Sequence, residues 1–137
     1  MSAARAGASV VLVEAHGCLG GIWTAGLLSW IIDAGNKQGI IREIVCKLHE
    51  RDALTPGTPA DWETRPPDPR GDHYVNSYDA EAMKLLLEDL CLDAGVRVRL
   101  HTRLATARVK DGRLTHVLTE SKSGREAWAA QCFIDCT

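Results

Sequence analysis

At 137 residues, 45% hydrophobic and 25% charged, the chain has the make-up of one ordinary soluble domain, large enough to bury roughly two-thirds of its unfolded surface. A formal net charge of −2 gives no electrostatic case for a nucleic-acid or anionic-membrane partner, and no apolar run approaches the roughly 20 residues that span a bilayer. With no apolar signal core at the amino end, the cytoplasm is the default compartment.

Ala3 to Ala8 reads as the last turn of a helix closed by Gly7. The apolar, β-branched run Val10 to Val13 follows, and its continuity suits a strand buried on both faces of a parallel sheet. Glu14 ends that run. A carboxylate at the carboxyl end of such a strand projects into the crevice where open α/β sheets bind ligands, and its acceptor geometry suits the two hydroxyls of a ribose. Glu14 is therefore the candidate ribose ligand, and it would repel a 2′-phosphate. The glycine pair Gly20 and Gly21 lies in the loop that follows.

Leu27 to Ile32 is short and apolar, and Asp33 to Asn36 breaks it. Asn36 can cap a helix from about Lys37 to Arg51, whose Ile41, Ile44, Val45 and Leu48 fall on one face. The segment from Thr55 to Asp72 holds all 5 prolines, which no helix or central strand tolerates. It reads as a solvated loop, or as an insertion or lid over a substrate. His73 and Tyr74 at its exit are the polar pair within reach of such a substrate, though a structural role suits them better.

Asp79 to Ala94 is the clearest helix. Met83, Leu86, Leu87, Leu90 and Ala94 share one face, Glu81, Lys84 and Glu88 the other, and Gly95 ends it. From Val96 to His101 the period becomes two. Leu104 to Val109 and Leu114 to Thr119 flank an Asp-Gly turn and predict a hairpin, and a second turn at Ser121 to Gly124 leads into a strand from Ala127 to Ile134. The 5 cysteines include no CxxC pair, so neither a zinc site nor a dithiol is indicated. Cys132 and Cys136, four apart in the last strand, share a face and are expected in the core.

Three stretches together resemble the FAD-dependent oxidoreductases with a glutathione-reductase-like flavin domain. They are Ala4 to Glu14, then Gly20-Gly21-Ile22-Trp23-Thr24-Ala25-Gly26, then Phe133 to Thr137. The resemblance implies an α/β fold, a partial Rossmann-like FAD-binding domain of parallel strands and helices plus an antiparallel β-meander. It also implies FAD as cofactor, for hydride or electron transfer with a small-molecule substrate. Glu14 would bind the adenosine ribose, and Gly20 and Gly21 would let backbone approach the pyrophosphate and ribityl chain. Thr24 would lie toward the flavin ring, Thr137 would make a second flavin contact, and Leu104 would meet the adenine through its backbone.

Departures from the pattern are as informative. The family's GxGxxG should lie roughly 20 residues before the acid, yet thirteen residues precede Glu14 and none form it. The expectation is a single, truncated FAD-binding domain over 1–137, an internal piece of a longer enzyme with little activity alone. No nucleophile with a paired base stands out, which accords with chemistry carried by a flavin. His16 and Cys18, near the glycine pair, are assigned no redox or covalent-flavin role. The alternatives are an NAD-binding Rossmann module, which would continue in βαβ units rather than a meander, and a non-catalytic interaction domain whose glycines only make turns. Oligomeric state is not legible.

Overall fold

The computed structural model describes residues 1–32, 37–54 and 76–136. The proline-rich segment 55–72, His73 and Tyr74, the proposed cap Asn36, and Thr137 lie outside the described residues. Among the described residues three α-helices, α1 (Ser2–Arg5), α2 (Ile40–Glu50) and α3 (Ala80–Asp93), accompany seven strands. The strands are β1 (Val11–Val13), β2 (Trp30–Ile31), β3 (Asn76–Ser77), β4 (Arg97–Arg99), β5 (Arg103–Lys110), β6 (Arg113–Ser121) and β7 (Gly124–Ala129). They form a parallel pair β1-β4, an antiparallel pair β2-β3 and the meander β5-β6-β7. The fold is thus α/β with a parallel sheet and an antiparallel meander, as the sequence implies.

Local chemistry explains most boundaries. After α1, the Gly7 N–H donates to the Ala4 carbonyl and the Ala8 N–H to that of Ala3, with Gly7 at φ +92. This is the paired 5→2 and 6→1 closure that a left-handed glycine permits. The same closure ends α3, where Gly95 (φ +74) donates to Leu92 and Val96 to Cys91. Asp79 caps the start of α3, its Oδ1 accepting from the Glu81 and Ala82 amides at 2.8 and 2.9 Å. In the β5-β6 turn both Asp111 (φ 51) and Gly112 (φ 73) are left-handed, the signature of a two-residue type I′ hairpin.

The core lies where α2 and α3 meet. Ile44, Val45 and Leu48 of α2 face Met83, Leu86, Leu87 and Leu90 of α3, and Leu19, Ile31, Tyr78 and Val96 complete the cluster. Arg51 ties the end of α2 to Asp89 on α3 at 2.8 Å. On the meander side, Arg99 of β4 donates to Glu126 of β7 at 2.5 Å, and its guanidinium sits 5.6 Å from the centre of the Trp128 ring. The Trp128 indole N–H donates to the Thr119 hydroxyl at 2.9 Å.

Three expectations need correction, and the apolar run to which no element was assigned is placed. The strand β1 is half-buried, not buried on both faces, because among the described residues its only neighbour is β4. Helix α2 begins at Ile40 behind Gly39, which has no side-chain cap, rather than at Lys37. Of the apolar run Leu27 to Ile32, only Trp30 and Ile31 pair, with Ser77 and Asn76, and Ile31 alone is buried. The last strand ends at Ala129, and Cys132 and Cys136 are exposed rather than in the core. Pairing with β6 ends at His116 opposite Ala129, so the residues beyond it leave the sheet.

One ion pair joins the amino-terminal turn to the body of the fold. Arg5 donates to both carboxylate oxygens of Glu43, at 2.7 and 2.8 Å. This hydrogen bonding holds the Glu43 carboxyl below its usual range and raises Arg5. A lowered folded-state value means that the stabilisation is present above the carboxyl's unfolded pKa and is lost as pH falls through the folded one. Arg5→Ala should therefore lower Tm modestly at neutral pH, with the gap closing in acid as Glu43 protonates. Thermal melts at both pH values check this, and a gap that persists in acid would assign the effect to packing.

Candidate functional site

The end of β1 is fastened to the end of β4 by backbone alone. The Glu14 N–H donates to the Arg99 carbonyl at 2.9 Å, the Thr102 N–H to the Glu14 carbonyl at 2.9 Å, and the His101 N–H to the His16 carbonyl at 3.0 Å. Within this clamp the Glu14 side chain curls back, so that its Oε1 accepts the His16 amide at 2.7 Å. Glu14 as a residue is half-buried, its hydrogen bond to His16 is at an exposed position, and its second oxygen has no protein partner among the described residues. It is an oriented acceptor at the carboxyl end of a parallel strand, where the sequence suggests a ribose ligand.

Gly17 and His101 explain how the two loops fit together. A Cβ on Gly17 would stand 2.7 Å from Cε1 of His101, so only glycine allows the imidazole to lie against the loop. His101 takes a left-handed φ of 49 to do so, a conformation that costs a non-glycine residue about 1–2 kcal/mol. Neither residue stands out in the sequence, because each matters only through the other.

The two glycines of the pair differ. Gly20 (φ +107) is packed, and a Cβ there would stand 2.8 Å from Leu87 Cδ1 and from both Cγ2 and Oγ1 of Thr24. Gly21 (φ +52) is open, with nothing within 4 Å of its ideal Cβ. It begins a single 3₁₀ turn, Gly21–Trp23, which Gly26 closes by donating to the Gly21 carbonyl at 3.0 Å. Gly26 is also sterically required, since its Cβ would meet the Ile22 backbone at 2.7 Å.

Thr24 is fully buried, at 0% exposure, and its hydroxyl donates to the Leu19 carbonyl at 2.5 Å. It holds the loop from inside; the side chain has no open face to offer a ligand. Leu104 is 59% exposed at the start of β5 and pairs in register with Thr119. Cys18 is half-buried with its thiol 3.8 Å from the Thr24 hydroxyl. No group of three or more metal-ligating side chains occurs among the described residues, and no helix there is long and apolar enough to cross a membrane.

Sequence reasoning missed Tyr78. Its ring is buried beneath the glycine loop, and its hydroxyl reaches the Trp23 carbonyl at 2.8 Å and the Leu28 carbonyl at 3.1 Å. A buried tyrosine hydroxyl requires such a partner, but nothing local in the sequence says which.

A family model described as FAD dependent oxidoreductase matches residues 1–137. Two crystal structures share the fold. THI4 of Thermovibrio ammonificans aligns at 17% identity with a TM-score of 0.52, over 93% of this chain and 47% of that one. FqzB aligns at 20% identity with a TM-score of 0.54, over 92% of this chain and 30% of that one. The chain thus spans about half the length of the first and under a third of the second. No curated protein matches it by sequence.

Proposed function

The chain belongs to the FAD dependent oxidoreductase family, whose cofactor is FAD, and on that premise we propose that it forms the ribose-side part of a flavin site serving oxidation or reduction of a small-molecule substrate. The observation that carries this reading is the Glu14 carboxylate, oriented by the His16 amide and left with one oxygen for a ligand hydroxyl. The open, left-handed Gly21, in the loop that follows β1, suits close approach by a dinucleotide backbone. These residues fit the adenosine ribose and its neighbouring linkage.

When bound, FAD supplies the hydride or electron transfer through its ring system. The work of this chain is to bind and orient. Glu14 would accept from the ribose hydroxyls, Gly21 would present backbone to the linkage, and Gly20 would set the turn that aims it. Thr24, given its burial, would act by bracing the loop from Leu19. The Leu104 backbone and Thr137 are the remaining proposed contacts, toward the adenine and the flavin respectively. No GxGxxG is present, so weak FAD binding and low turnover by the chain alone are expected. The three-stranded meander after β4 counts against an NAD-binding module built of further βαβ units.

Glu14→Ala removes a charged acceptor, a loss worth about 1.5–3 kcal/mol, or roughly 10- to 100-fold in affinity. Titration of FAD into wild-type and variant chain should show that weakening with an unchanged melting profile. Equal affinity in the two proteins would sink the ribose assignment and favour a non-catalytic interaction domain.

A further inference from the structure

We propose that the Tyr78 hydroxyl is the positioning group of the Gly20 to Leu28 loop, and that through this loop it sets the affinity for the dinucleotide. The inference rests on the reading above, in which Gly20 and Gly21 present backbone to FAD. Tyr78 lies between β3 and α3, far from the loop in sequence and directly beneath it in space.

Its one hydroxyl proton is shared between the Trp23 carbonyl at 2.8 Å and the Leu28 carbonyl at 3.1 Å, which bracket the tight turn around Gly26. Leu28 also accepts from the Trp30 amide at 2.8 Å, whereas among the described residues Tyr78 is the only donor to Trp23. The Tyr78 backbone adds a third tie, its N–H donating to Ser29 at 3.1 Å. Burial pushes the phenol up to about 12, so it remains a donor across the working pH range.

The loop needs such a brace because its outer side is exposed. Ile22 is 63% and Leu27 77% exposed, and Leu27 holds a left-handed φ of 58 that an unrestrained leucine would leave. Its shape is therefore imposed from within, by Thr24 on Leu19 at one end and Tyr78 on Trp23 and Leu28 at the other. A backbone surface that binds a ligand gains affinity from being fixed beforehand.

Tyr78→Phe keeps the ring and removes only the hydroxyl. Two readouts decide the matter, amide hydrogen exchange across residues 20–28 without cofactor and titration with FAD. Val45→Ala, in the core on α2, serves as the control that lowers global stability without touching the loop's hydrogen bonds. The expected result is faster exchange in residues 20–28 and about tenfold weaker FAD binding in Tyr78→Phe, with Val45→Ala holding near wild-type affinity despite a lower Tm. Unchanged exchange in Tyr78→Phe, or equal losses of affinity in the two variants, would overturn the proposal. If wild type itself takes up no FAD, the flavin reading fails and this inference falls with it. If wild type and Tyr78→Phe bind alike, only the positioning role is lost.

Discussion

Leu86→Ala should cost the fold about 2–5 kcal/mol, the usual loss when a fully buried leucine is truncated and the space only partly closes. Leu86 has 0% exposure on the face of α3 that meets α2, among Met83, Leu87 and Leu90. For a chain of this size that loss corresponds to a fall in Tm of roughly 10 °C. Its neighbour supplies the control. Leu85 is 61% exposed on the opposite face, and Leu85→Ala should stay within about 0.5 kcal/mol of wild type. Chemical denaturation of the two variants, adjacent in sequence and opposite in environment, measures how far the stability of the domain resides in one stripe of α3. Comparable losses in both would mean that the buried face has been misplaced.

That stripe was legible from sequence because several independent signals agree on it. The apolar spacing from Met83 to Ala94 and the glycine at Gly95 each act within a few residues of the helix they define, and the cap at Asp79, found in the structure, is local too. The hairpin at Asp111 and Gly112 was legible for the same reason, since the turn needs two left-handed residues and Asp-Gly provides them. Glu14 could be placed at the end of a strand because a short apolar run and its terminal acid are also local.

What could not be read depends on partners distant in the chain. Ala127 to Ile134 reads as one strand, yet pairing stops at Ala129, opposite His116, although β6 itself runs on to Arg113. The exposure of Cys132 and Cys136 follows from that ending. Thr24 resembles a ligand-facing residue in a motif, but its direction is set by the Leu19 carbonyl and the packed Gly20. Tyr78 joins the loop through contacts 50 and 55 residues away. The backbone tie of His101 to His16 and the contact of its ring with Gly17 likewise cross from one strand end to another. In each case the side chain's identity was visible and its neighbour was not.

The glycine pair allows structure and function to be separated by the same substitution made twice. Gly20→Ala would drive a methyl group to 2.8 Å from Leu87 and Thr24 while holding φ at +107, and Thr24 is pinned by its own hydrogen bond to Leu19. Backbone strain and overpacking together should cost roughly 2–5 kcal/mol, seen as a large fall in Tm with any loss of FAD following from it. Gly21→Ala meets nothing within 4 Å and takes a φ of +52, a left-handed position that costs alanine about 1–2 kcal/mol. It should lower Tm by only a few degrees, well short of the fall in Gly20→Ala. If the open side of Gly21 is where the dinucleotide backbone approaches, its methyl group would occupy that approach and weaken FAD about tenfold or more. Melting curves and FAD titrations on both variants would then show opposite orders, Gly20→Ala worse in stability and Gly21→Ala worse in binding per unit of stability lost. Full FAD affinity in Gly21→Ala would remove Gly21 from the site, leaving Glu14 to carry the nucleotide assignment by itself. A collapse of Tm in Gly21→Ala equal to that in Gly20→Ala would show instead that both glycines serve the turn.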